Sequence, residues 1–136
     1  MEKTNSLYDV TEKRVADERV VFAHWLSKQG FAIEAVEEDI QRRGGDAEGL
    51  IAALASFSSE LEAAEILAKS GRKVGSMNVL VEAFMTSTKI HARLRNLYSG
   101  VSSEYRDVVG TYLGVRYHRG LDSVRSLVCS ERGEQK

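Results

Sequence analysis

Leu50, Leu54, Phe57, Leu61, Ala64 and Ala68 recur at alternating steps of four and three residues. A repeat of seven puts all six on one stripe of an α-helix and does not match the two-residue period of a strand. Such a stripe gains stability only by leaving water, so it requires a partner surface. Another helix of the same chain is the commoner partner, and a second molecule is the alternative. Asp46 stands ready to cap this helix behind Gly44-Gly45, and the segment is expected to run to about Lys69.

The rest of the chain reads the same way. An earlier helix is expected from near Asp9, with Glu12 three residues on, carrying Val15, Phe22, Trp25 and Leu26 inward and ending at Gly30. A short one follows with Ile33, Val36 and Ile40 inward. After a basic turn bracketed by Gly71 and Gly75, a helix is expected from about Ser76 to Tyr98. Its inner stripe is read as Met77, Leu80, Phe84, His91, Leu94 and Tyr98. Another starts at Ser102 or Ser103 with Tyr105, Val108, Val109, Tyr112 and Leu113 inside, and a last short one starts near Asp122. The expectation is an all-α, compact bundle of five or six helices around a central antiparallel hairpin of residues 46–98. It forms one domain over 1–136, frayed at 1–8 and 130–136.

Composition agrees with that reading. The chain has no proline, which removes the strongest helix breaker. Its 43% hydrophobic content is too high for a disordered chain, and its 136 residues suffice to bury a core. No apolar run approaches the roughly 18 residues of a membrane span, so no membrane partner is expected. The N-terminus shows no apolar signal core, and the single Cys129 cannot close an internal disulfide. The cytoplasm is the simplest address.

Metal and nucleophile chemistry find little footing. His24, His91 and His118 fall on separate segments, none with a second His or Cys one turn away. Cys129 has no histidine close to it in sequence. No metal site, cofactor or catalytic residue is expected, and an enzyme is the least supported class.

Charge is divided unevenly. Residues 1–68 hold 14 acidic and 7 basic side chains, and residues 69–136 hold 6 acidic and 12 basic. Either the halves pair with each other or the basic half meets an acidic partner. Lys89, Arg93, Arg95, Arg116, Tyr117, His118, Arg119 and Arg125 are the candidate contacts for nucleic acid or another partner. Within 104–128, Gly110, Gly114 and Val115 follow the order of a helix-turn-helix, but Gly120 falls where an apolar residue belongs. The competing reading is a straight helix whose Gly110 and Gly114 admit another helix closely. Trp25, Glu37, Glu38 and His91 are the candidate interface residues, Trp25 as anchor and His91 as a polar interruption of an apolar stripe. The leading expectation is a non-enzymatic interaction or regulatory protein that binds another macromolecule, another protein before nucleic acid, with homodimerisation an open option.

Overall fold

The computed structural model describes residues 11–96 and 103–134 and builds them into five helices: α1 Glu12–Lys28, α2 Ile33–Arg42, α3 Ala47–Lys69, α4 Lys73–Asn96 and α5 Ser103–Glu134. The all-α bundle is therefore as expected, with α3 at its centre packed against each of the other four. No strand occurs among the described residues, and no helix there is long and apolar enough to cross a membrane. Residues 1–8 and Tyr98 lie outside them.

Local chemistry sets the helix ends. Thr11, not Asp9, caps α1: its side chain accepts from the Arg14 backbone N–H. Asp46 caps α3 as anticipated, accepting from Gly49 N–H at 2.9 Å. Helices α1, α2 and α3 each close on a glycine in the left-handed region, Gly30, Gly44 and Gly71. At α1 the Gly30 N–H reaches Ser27 O at 3.1 Å and the Phe31 N–H reaches Leu26 O at 2.9 Å. That pair of bonds satisfies carbonyls the helix leaves open, and the left-handed turn needs a residue without Cβ.

The heptad seam of α3 is the core. Leu50, Leu54, Phe57, Leu61, Ala64 and Ala68 are all buried, joined by Phe22 and Leu26 from α1 and by Val109, Tyr112 and Leu113 from α5. The α3–α4 turn is tight: fully buried Ser76 donates to Ala64 O at 2.7 Å, tying the start of α4 to α3.

Two expectations fail in the second half. Helix α5, of 32 residues, has no break before Asp122; over 104–128 it is the straight helix that competed with a helix-turn-helix. Two of its glycines serve close packing. A Cβ at Gly120 would sit 3.0 Å from Leu61 of α3, and one at Gly110 would sit 3.0 Å from His91 of α4. Gly114 meets nothing within 4 Å.

The face of α4 is also turned. Leu80, Ala83, Ile90 and Leu94 are buried, while Met77, Phe84 and His91, expected on the inner stripe with Leu80, face outward. This helix is apolar on two sides, so periodicity alone selected a stripe straddling both. The contacts of His91 with Gly110 and of Phe84 with Tyr117 show α4 and α5 running antiparallel.

Candidate interaction surface

Helix α4 carries a second apolar stripe that no helix among the described residues covers. Val74, Met77, Val81 and Phe84 recur at steps of three, four and three, with Met85 beside them. Their exposures are large for such side chains: Val74 75%, Val81 57%, Phe84 56%, Met85 54% and Met77 47%. Asn78, Thr88 and Ala92 extend the stripe without charge over about 27 Å of helix, and the exposed Glu82, Lys89 and His91 stand to its sides. Scattered exposed apolar residues are ordinary, but a contiguous stripe marks an interaction surface. One edge is continued by α5, where half-buried Tyr117 meets Phe84 edge-on at 5.7 Å between ring centres. On the opposite edge Glu82 and Lys89, seven residues apart, are exposed on one flank.

Inside the bundle lies a polar node that holds α1, α3 and α5 together. Glu18 is buried, and its Oε2 accepts from the Tyr112 hydroxyl at 2.5 Å. Ser58 also hydrogen-bonds this carboxyl, and Arg116 Nη2 donates to Ser58 Oγ at 2.5 Å and stands 3.9 Å from Glu18 Oε1. Burial raises the Glu18 carboxyl above its ordinary range, against the opposing pull of Tyr112, Ser58 and Arg116. Burial, and then the Glu18 charge, push the Tyr112 phenol upward. Phe22 and Trp25 pack on the Tyr112 ring at 4.7 and 5.2 Å. Every member is bonded within the protein, which makes the node a clamp between helices.

A third feature is a cleft of about 510 Å³ between α4 and α5, lined by His91, Leu94, Arg106, Asp107, Gly110 and Thr111.

The residues singled out in the sequence do not converge. Arg116 turns into the polar node. Arg125 is exposed at 3.9 Å from Asp122 on its own helix. Lys89 lies on the flank of α4, His118 and Arg119 are exposed on α5, and Arg93 is half-buried. The Arg95 side chain is outside the described residues. Trp25 packs against the core instead of anchoring a surface. Glu37 is paired two-fold with Arg19 at 2.7 and 2.8 Å, and Glu38 is exposed beside it on α2. His91 is exposed over Gly110. Among the described residues no group of three or more His, Cys, Asp or Glu is placed to hold a metal ion.

The acidic half pairs largely within itself, through Arg14–Glu62, Arg19–Glu37 and Arg43–Asp39. Glu18–Arg116 and Glu65–Ser123 carry that pairing into α5. Sequence reading missed Glu18, although it sits between Val15 and Phe22 at steps of three and four, on the inward stripe.

Comparison with known protein families, curated proteins and solved structures finds no match.

Proposed function

We propose that this protein is a non-enzymatic interaction protein that works by helix docking on the outer face of α4, and that its occupant is a second copy of the same chain. The observation that carries this reading is the uncharged stripe of Val74, Met77, Val81, Phe84 and Met85 facing solvent. An apolar face of this kind is self-complementary across a two-fold axis, since each copy offers the other the same stripe.

Charge favours an antiparallel pair. With the axis near Phe84, Val81 of one copy fits between Met85 and Thr88 of the other. The flank bearing Glu82 then faces the same flank of the second copy. Glu82 comes within about 4.5 Å, along the helix axis, of Lys89 of the second copy, and the exchange is reciprocal. A parallel pair sets Glu82 level with Glu82 and Lys89 level with Lys89, without that exchange. A single helix pair lies at the small end of specific interfaces, below about 1,200 Å², so a micromolar dimer in exchange with monomer is expected.

Sedimentation velocity over a range of concentrations tests it. The wild type should shift from monomer to dimer with rising concentration, and Phe84→Glu should remain monomeric while keeping its helical circular dichroism. Lys89→Glu should weaken the dimer, and adding Glu82→Lys should restore it. A wild type that stays monomeric up to high micromolar concentration overturns the reading.

A further inference from the structure

Arg106 lies early in α5, and its Nε–H has no hydrogen-bond partner although solvent does not reach it. An N–H out of reach of water ordinarily finds an acceptor, and Arg106 is half-buried, so the fork of donors it carries fits an oxyanion at the rim of the cleft. Arg106 lines the cleft between α4 and α5, whose volume of about 510 Å³ falls in the range of small-molecule sites.

The surrounding residues give that cleft two chemically distinct ends. Gly110 follows Arg106 by four residues, so both lie on the same strip of α5. Because a Cβ at Gly110 would come within 3.0 Å of His91 Cε1, the glycine seats the imidazole directly against α5. Guanidinium and imidazole therefore border one opening. Leu94 supplies an apolar wall there, and exposed Asp107 is the only acid among the described residues of the lining. Thr111 spends its hydroxyl proton on Asp107 O at 3.0 Å, which leaves the hydroxyl an acceptor.

We infer that the α4–α5 cleft binds a small organic oxyanion, a carboxylate or phosphate monoester. Its charged end lies against Arg106 and His91, its carbon skeleton against Leu94, and an adjoining hydroxyl or ammonium donates to Asp107. The outer stripe of α4 takes no part in this site, so the inference stands or falls apart from self-association.

Lactate and glycerol phosphate, each an oxyanion with an adjoining hydroxyl, are the probes, titrated into the isotope-labelled full chain and followed by amide chemical shifts. The expected result is a saturable shift centred on Leu94, Asp107, Gly110 and Thr111 with at least one probe, and the better probe identifies the oxyanion. Arg106→Gln should weaken binding by at least about tenfold, the size expected for a lost charge-assisted hydrogen bond. His91→Ala, at an exposed position, should weaken it too while keeping the helical circular dichroism, and Arg119→Gln should leave it unchanged. Failure of both probes to saturate, shifts centred elsewhere, or wild-type binding by a folded Arg106→Gln protein would overturn the inference.

Discussion

Tyr112 donates a 2.5 Å hydrogen bond to Glu18 across 94 positions of sequence, and by it α5 is fastened to α1 inside the bundle. Removing the hydroxyl leaves a buried carboxyl short of a donor. Tyr112→Phe should therefore cost about 1–3 kcal/mol in denaturant unfolding. An unchanged midpoint would show that the bond contributes nothing net.

The same pair makes stability depend on pH. The folded protein holds the Glu18 proton more tightly than the unfolded chain, because burial raises its carboxyl. Its stabilising effect is then complete below the ordinary glutamate value of about 4.3, and is lost as pH rises through the raised value. Glu60 shifts the same way, burial again being the first cause. Melting temperature should show this downward contribution as pH rises above the ordinary carboxylate range, and Glu18→Gln should reduce it. A Glu18→Gln profile parallel to that of the wild type would count against the assignment.

Arg116 and Arg125 lie on one helix and should behave differently. Arg116→Ala removes the donor to Ser58 and the cation nearest Glu18, and is expected to cost about 1–3 kcal/mol. Arg125 faces water beside Asp122, and Arg125→Ala should stay within about 0.5 kcal/mol. Equal effects in thermal unfolding would contradict the inward placement of Arg116.

The two faces of α4 separate in the same experiment. Leu80→Ala and Ile90→Ala remove fully buried side chains and should cost about 2–5 kcal/mol. Val81→Ala, measured in dilute monomer, should cost less than about 1 kcal/mol because its side chain is already in water.

Glycines in α5 give a further contrast. Gly114→Ala meets nothing within 4 Å and should stabilise by about 0.5–1 kcal/mol through helix propensity alone. At Gly120 the added methyl presses on Leu61, and the gain should be offset or reversed. A Gly114→Ala protein no more stable than wild type would mean that α5 is locally distorted there.

Much of the fold was legible because α3 presents one unambiguous stripe. Leu54 and Phe57 are inward for the reason periodicity gives, and Gly44 and Asp46 mark a stop and a start by their chemistry. The face of α4 was not legible, since Leu80 and Val81 belong to two apolar stripes a quarter-turn apart and spacing cannot say which one α3 takes. Gly114 could be read as a turn or as part of a straight helix, because a glycine admitting a neighbour and a glycine ending a helix look the same in sequence. Glu18 was overlooked because an isolated acid in a charged helix is usually solvated; only its place between Val15 and Phe22 betrayed it. The Arg106 cleft needed two helices brought side by side, which no local pattern encodes.

The two apolar sides of α4 also bear on how the chain is made. As it leaves the ribosome, α4 can lay Leu80 and Ile90 on the finished α3, but α5 is still to come. During that interval Phe84 has no Tyr117 beside it, and the flank destined for α5 is open together with the outer stripe. Chains cut short before α5 would present both surfaces at once. Such fragments are natural clients for chaperones and proteases, and the last helix decides whether a molecule passes that inspection.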